Sequence, residues 1–242
     1  MSGTPGNEQP YASVAGAVER VRERIAAAAS RAGREAQSVE IMAVTKLHPI
    51  DAAEAAHAMG IRVFGESRVQ EAEAKYASFL DSRPDTRLEM IGHLQSNKVK
   101  KAVSLFSCIQ SVDSLDILSE LDRRACADGM TIEVLFELHT GEESKAGFPD
   151  LDALFRACDS LAAKKALVLR GLMTMAPFTD EGAPVRRSFK ALAAAYKTIR
   201  ERYGFPRFEV VSMGMSNDFE IAVEEGSTML RLGTILFGSR GR

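Results

Sequence analysis

The sequence predicts an α/β fold, a (β/α)8 TIM-like barrel with an additional N-terminal helix. Eight short runs rich in Val, Ile, Leu and Phe alternate with helical patterns along 242 residues, and such alternation is typical of a parallel sheet. The runs are nearly continuous in apolar residues, as strands buried on both faces are. Eight units in about 240 residues match the size of a closed barrel. A doubly wound open sheet is the alternative, but no Gly-rich phosphate motif follows the first strand.

The N-terminal helix is predicted over 11–32, where apolar residues recur at spacings of three and four, and Gly33 ends it. Residues 1–10 are mostly Gly, Pro and polar types, so we expect a disordered tail there. Residues 11–242 are then one barrel domain. The predicted strands are 39–46, 61–65, 88–92, 105–112, 131–138, 166–173, 208–212 and 229–237, and the helices between them are 51–59, 68–80, 96–103, 114–128, 150–162, 184–203 and 217–225.

The composition excludes several classes of protein. Lys and Arg number 31 against 33 Asp and Glu, a net charge of −2, whereas nucleic-acid-binding proteins usually show a basic excess. The three cysteines lie far apart with no C-x-x-C pair, so neither a zinc site nor a disulfide framework is predicted. No apolar run approaches the roughly 20 residues of a membrane span, and no signal peptide is evident. We therefore expect a cytoplasmic protein.

Lys46 ends the first predicted strand, which reads Val39-Glu40-Ile41-Met42-Ala43-Val44-Thr45-Lys46. Barrels of this type carry their active sites at the C-terminal ends of the strands, which we call the barrel mouth. An amine with little water around it loses its charged form and becomes a nucleophile, as Schiff-base lysines do. The alternative is a lysine whose side chain extends into solvent.

Polar residues follow several other strands at the mouth, and two of these loops form a phosphate signal. The segment 212–218, Ser-Met-Gly-Met-Ser-Asn-Asp, runs from a strand through glycine into a helix start, which Ser216 or Asn217 could cap. Gly233 and Thr234 follow the eighth strand, and barrels often bind phosphate with the loops after strands seven and eight. The alternative is that Gly214 and Gly233 only serve tight turns and Ser216 only caps the helix.

Arg231 lies inside an apolar strand and needs an acceptor, because arginine does not lose its proton in proteins. That acceptor is either a barrel carboxylate, such as Glu66 or Glu137, or a ligand. An amine, a phosphate cradle and an arginine at one mouth suit a ligand with an aldehyde, a phosphate and an aromatic nitrogen. Pyridoxal 5′-phosphate has all three.

These motifs resemble those of the pyridoxal phosphate homeostasis proteins, single-domain barrels related to the N-terminal domain of alanine racemase. The resemblance extends from about residue 11 to residue 238. The matching segments are 43–46, 64–71, 91–98, 143–147, 170–173, 212–218 and 226–234, in order. The sequence departs from the family at Ser67 and His139, where the family usually has Asn, which affects contacts near the ring.

The resemblance implies that Lys46 holds the cofactor as a Schiff base. It further implies that Arg231 faces the pyridine nitrogen and that the phosphate contacts Ser212, Ser216, Gly233 and Thr234. A cationic arginine keeps that nitrogen unprotonated and weakens the cofactor as an electron sink. Alanine racemase uses a tyrosine from an additional domain as its second base, whereas we expect no such domain here and no tyrosine at the mouth.

We therefore expect a protein that holds the cofactor, keeps free aldehyde low and supplies apo-enzymes, without robust catalysis of its own and as a monomer. The alternative is a pyridoxal-phosphate-dependent amino-acid racemase or aldolase with His93 or His139 as base. A sugar-phosphate enzyme with a Schiff-base lysine is a third possibility, but it leaves Arg231 without a role. Lys98 and Lys145 either relay the aldehyde or are ordinary surface charges.

Overall fold

A computed structural model describes residues 11, 13–141 and 146–238 of the chain. The expected tail at 1–10 and the relay candidate Lys145 lie outside these residues. The strands are β1 Glu40–Val44, β2 Val63–Glu66, β3 Arg87–Met90, β4 Cys108–Val112, β5 Ile132–Glu137, β6 Leu167–Met173, β7 Val210–Ser212 and β8 Met229–Leu232. The helices are α1 Val14–Arg31, α2 Ile50–Ala58, α3 Val69–Ser82, α4 Val99–Leu105, α5 Leu115–Ala127, α6 Leu151–Ser160, α7 Gly182–Tyr203, α8 Phe219–Glu224 and α9 Thr234–Phe237.

The eight strands form a closed parallel barrel in chain order, and β1 pairs with β8 to complete it. The predicted barrel and its N-terminal helix are therefore confirmed. The prediction for the last element is wrong beyond residue 232, because the strand ends there and residues 234–237 form one helical turn. A short apolar run fits either structure by periodicity, and Gly233 separates the two.

The main hydrophobic core lies between the barrel and its helices. The buried positions of α1 (Val14, Val18, Val21 and Ile25) are spaced at three and four residues, so one stripe faces inward. That stripe packs α1 mainly against α8 and α9, and therefore near β8. Among the described residues, no helix combines the length and apolar character required to cross a membrane.

The inside of the barrel is partly polar. A small apolar cluster that includes Met42 and Met229 lies there beside the buried side chains of Glu89 and Gln110. At the N-terminal ends of the strands, Glu133 pairs with Arg87 at 2.8 Å, Arg170 at 2.7 Å and Arg207 at 2.6 Å. We call this charged group the barrel floor.

Candidate functional site

Lys46 lies in a tight turn just after β1 rather than on the strand itself. The turn spans Thr45 to His48, whose N–H donates to the Thr45 carbonyl at 3.0 Å, and Lys46 is half-buried within it. Leu47 has φ of +64°, the one positive value at a non-glycine residue in the described part of the chain. This left-handed conformation costs roughly 1–2 kcal/mol for a residue with a Cβ. The side chain of Leu47 is 55% exposed, so buried packing does not offset the cost.

A buried polar group from β2 and α3 lies behind this turn. The amine of Lys75 contacts the Glu66 carboxylate at 2.5 Å and donates to the carbonyls of Thr45 at 2.8 Å and His48 at 3.0 Å. The Thr45 hydroxyl donates to Glu66 at 2.7 Å and contacts the Tyr76 hydroxyl at 2.6 Å. Burial raises the pKa of Glu66, and the hydrogen bond from Lys75 opposes that rise.

The expectation that no tyrosine approaches the mouth is wrong for two of the four tyrosines. Tyr76 reaches Thr45 from α3, and the Tyr11 hydroxyl lies 3.4 Å from Nδ1 of His48. Burial raises the pKa of both phenols. The sequence placed Tyr76 in a helix, but it did not show which loop the hydroxyl would meet.

Arg231 is almost fully buried and donates to main-chain and hydroxyl oxygens. Nη1 donates to the carbonyl and the hydroxyl of Ser212, both at 2.8 Å, and Nη2 donates to the Thr174 carbonyl at 2.7 Å. Glu66 is committed to Lys75, so it is not the acceptor. Burial lowers the pKa of Arg231 to about 10, while the charges of Glu137 and Asp218 oppose that shift.

Ser212, a predicted phosphate contact, lies at the end of β7 with its hydroxyl directed into the barrel. That hydroxyl accepts from Arg231 and donates to Oε1 of Gln110 at 2.6 Å. Gln110 in turn donates to Glu89 at 2.6 Å, and Glu89 pairs with Arg87 at 2.8 Å. A chain of polar contacts thus runs from Arg231 at the mouth to the floor. The sequence indicated only Arg231 and Ser212 among its members.

Ser216, Gly233 and Thr234 lie together beside the end of β1. The Ser216 hydroxyl accepts from the N–H of Ile235 in α9 at 3.2 Å, which joins the loops after β7 and β8. A Cβ on Gly233 would lie 3.2 Å from the Val44 carbonyl, so glycine allows this close approach. The predicted helix cap by Ser216 or Asn217 is wrong, because Asp218 occupies the N-cap position of α8.

Gly214 has a packing role. Its φ is +97°, and a Cβ there would lie 2.5 Å from the Cβ of Ala222. The positive φ and the close approach to Ala222 each require glycine at this position. Gly233, by contrast, has φ of −121°.

The other predicted candidates at the mouth follow β2, β3 and β5 in the chain. The side chain of His93 is 60% exposed and pairs with Asp113 at 2.9 Å. The backbone N–H of His139 donates to the Phe148 carbonyl at 2.9 Å. Lys98 is half-buried in a short 3-10 helix after β3. Ser67, one departure from the family, packs its backbone against Gly92, where a Cβ would come within 2.4 Å of the Ser67 carbonyl.

Comparisons with known proteins show the family to which the chain belongs. The family model for the alanine racemase N-terminal domain matches residues 17–241. A pyridoxal phosphate homeostasis protein from Aquifex aeolicus is 36% identical over 226 residues, 92% of this chain and 96% of that protein. PipY from Synechococcus elongatus PCC7942, solved with pyridoxal phosphate bound, is 35% identical with a TM-score of 0.81, covering 93% of this chain and 100% of PipY.

A structure from Bifidobacterium adolescentis is 34% identical with a TM-score of 0.90, and the match covers 98% of this chain and 99% of that one. Similarity at this level extends over essentially the whole barrel and includes the turn that carries Lys46. The chain belongs to the pyridoxal phosphate homeostasis protein family.

Proposed function

We propose that this protein binds pyridoxal 5′-phosphate through Lys46 and maintains vitamin B6 homeostasis by holding the cofactor and supplying it to apo-enzymes. One observation carries the proposal: β1 and β8 end side by side, so Lys46, just after β1, and Arg231 with the Gly233–Thr234 loop, at the end of β8, come from adjacent strand ends. The pairing of Met42 with Arg231 and of Ala43 with Leu232 fixes this arrangement.

The residues present suit each part of that cofactor. When bound, the cofactor supplies an aldehyde carbon that condenses with an amine, forming a C=N bond and releasing water. Lys46 provides the amine. Arg231 has five N–H donors, and the described residues accept from three, so two are left for a ring nitrogen. The Gly233–Thr234 loop and Ser216, whose hydroxyl accepts from the N–H of Ile235, would supply N–H groups and hydroxyls to the phosphate.

Ser212 supports Arg231 in this proposal in addition to its predicted contact with the phosphate. Its hydroxyl and carbonyl both accept from Nη1, so the guanidinium plane is fixed against β7. A fixed cation beside the ring nitrogen keeps that nitrogen an acceptor, and a protonated ring is what strong electron withdrawal requires.

A holding role is favoured by the contacts of three groups that could otherwise act as a base. His93 is exposed and paired with Asp113. Tyr76 is buried, its pKa is raised, and its hydroxyl contacts Thr45. Tyr11 approaches His48, not the centre of the barrel. The racemase or aldolase alternative would need one of these groups, or His139 at the mouth, to remove a proton from a bound amino acid.

Supply to apo-enzymes is supported by apolar groups around the mouth. Leu47 after β1 and Phe178 after β6 are 55% and 82% exposed, and exposed apolar groups are typical of surfaces that contact other proteins. We propose that the protein acts as a monomer in the cytoplasm. Its three cysteines are free thiols, as expected in a reducing compartment.

Absorbance titration with pyridoxal 5′-phosphate tests the proposal. We expect a visible band on binding that is lost in Lys46→Ala and kept in the surface control Lys101→Ala. Incubation with L-amino acids in deuterated water should show no α-proton exchange. An unchanged band in Lys46→Ala contradicts the attachment site, and rapid exchange contradicts the holding role in favour of an enzyme.

A further inference from the structure

The turn that carries Lys46 is held from outside the barrel by two side chains of α3. We infer that Glu71 and Lys75, the α3 clamp, are positioning residues that fix the Lys46 amine for its reaction with the cofactor aldehyde. This inference rests on the proposed function, because it concerns how the same amine is presented.

The turn needs such support, because its own backbone does not favour it. Lys46 and Leu47 are its two central residues, and a positive φ at the second of these is normally taken by Gly or Asn. Leu47 has φ of +64° and an exposed side chain. Without an external contact, this turn would relax to conformations in which the amine of Lys46 points elsewhere.

Lys75 contacts the turn on both sides of Lys46. Its amine meets the Thr45 carbonyl, the His48 carbonyl and the Glu66 carboxylate, and three acceptors match the three N–H groups of an ammonium ion. The side chain is only 9% exposed. Lys75 therefore serves as a fixed cation, whereas Lys46 supplies the reactive amine.

Glu71 holds the strained residue itself. Its Oε1 accepts from the N–H of Leu47 at 2.5 Å and lies 3.6 Å from the Lys75 amine, one helical turn away. A hydrogen bond to an ionised acceptor is stronger than a neutral one. This contact favours the backbone conformation that Leu47 would otherwise avoid.

The clamp stands on a rigid base. Ala72, Tyr76 and Phe79 form the buried face of α3, and Tyr76 and Phe79 meet each other edge to face with ring centroids 5.5 Å apart. The hydroxyl of Tyr76 also contacts the side chain of Thr45. The position of the turn is thus set by a packed helix, not by the turn residues alone.

The test compares Glu71→Ala with a matched control on the same helix, Glu73→Ala. Glu73 is an exposed carboxylate that pairs with Lys101 and does not contact the turn. The rate at which the visible band forms reports reaction at Lys46. Binding of pyridoxine 5′-phosphate, which has the ring and phosphate but no aldehyde, reports the rest of the site.

We expect Glu71→Ala to slow band formation about tenfold, equivalent to about 1.4 kcal/mol, and to leave the affinity for pyridoxine 5′-phosphate within about twofold. Adding Leu47→Asn should restore the rate, because Asn tolerates the left-handed conformation. Glu73→Ala should match the unsubstituted protein.

The inference is overturned if Glu71→Ala reacts at the original rate, if it loses affinity for pyridoxine 5′-phosphate in equal measure, or if Leu47→Asn gives no recovery. These outcomes differ from failure of the proposed function, which appears as a band that persists in Lys46→Ala. Equal thermal unfolding midpoints for Glu71→Ala and Glu73→Ala confirm that both variants are folded.

Discussion

Replacing Lys75 with methionine should destabilise the fold strongly, and more so at high pH than at low pH. Methionine keeps most of the length and apolar stem of the side chain but removes the ammonium. The carboxylate of Glu66 is fully buried, and in this variant no cation contacts it. Its second oxygen, Oε2, already has no hydrogen-bond partner among the described residues.

The size of the expected loss in unfolding free energy follows from the burial of the Lys75–Glu66 ion pair. Removing one partner of a buried ion pair costs about 3–5 kcal/mol, because the remaining charge stays desolvated. The carbonyls of Thr45 and His48 lose a charged donor as well. We expect the free energy of unfolding to fall by about 4 kcal/mol at pH 8. Because the total free energy of unfolding of such domains is about 5–15 kcal/mol, the variant should still fold.

The pH dependence follows from Glu66. Burial raises its pKa above the ordinary 4.5, and without Lys75 the pKa rises further. An acid with a raised pKa in the folded state binds protons more tightly there, so its penalty develops as pH rises from the unfolded value through the folded one. The loss in Lys75→Met should therefore be smaller at about pH 5 than at about pH 8.

Urea unfolding at both pH values measures this effect, and Lys101→Met is the matched control. Lys101 pairs with Glu73 on the surface, with side chains 56% and 50% exposed, and exposed pairs contribute about 0–1 kcal/mol. A loss below about 1 kcal/mol in Lys75→Met, or a loss that is equal at both pH values, would refute the reasoning.

Three further predictions concern other parts of the barrel. Gln110→Leu should lower the free energy of unfolding in urea by about 2–4 kcal/mol, because it leaves the side chains of Glu89 and Ser212 without a buried partner. The exposed control Gln37→Leu should lower it by about 0.5 kcal/mol or less. Equal losses in the two variants would contradict this prediction. Gly214→Ala should lower the thermal midpoint, because a Cβ overlaps a neighbouring methyl at positive φ; an unchanged midpoint would contradict it. The hydrogen bond from Arg186 lowers the pKa of Glu224 below 4.5, so this carboxylate stabilises the fold above that pH and the contribution is lost as pH falls. Glu224→Gln should therefore flatten the acid side of a stability curve, and an unchanged curve would count against the ion pair.

The barrel could be predicted from the sequence because each strand–helix unit has its own local pattern, a short apolar run followed by a helical spacing of apolar residues. The position of Lys46 followed from the same pattern, since the end of a parallel strand faces the mouth. The strained turn around it was not predictable. Nothing in a Leu-His-Pro sequence indicates a positive φ at Leu47, because that conformation is imposed by contacts from α3, 24 and more residues further along.

The polar interior was only partly predictable. Arg231 was conspicuous as a charge in an apolar strand, whereas Gln110 and Glu89 lie in short strands with other polar residues and resemble outward-facing residues. Gln110 meets Glu89 from the neighbouring strand and Ser212 from across the barrel, and no local spacing encodes these contacts. Similarly, the sequence placed Tyr76 in a helix but could not show its contact with Thr45.

The row of contacts from Arg231 through Ser212, Gln110 and Glu89 ends among the arginines around Glu133. These side chains share their acceptors, so rotation of one alters the hydrogen bonds available to the next. A substitution at the sealed end of the barrel can therefore reorient the guanidinium at the open end. Natural variants in Glu133 or its arginines should be judged as possible cofactor-binding variants, however remote they look on a surface map.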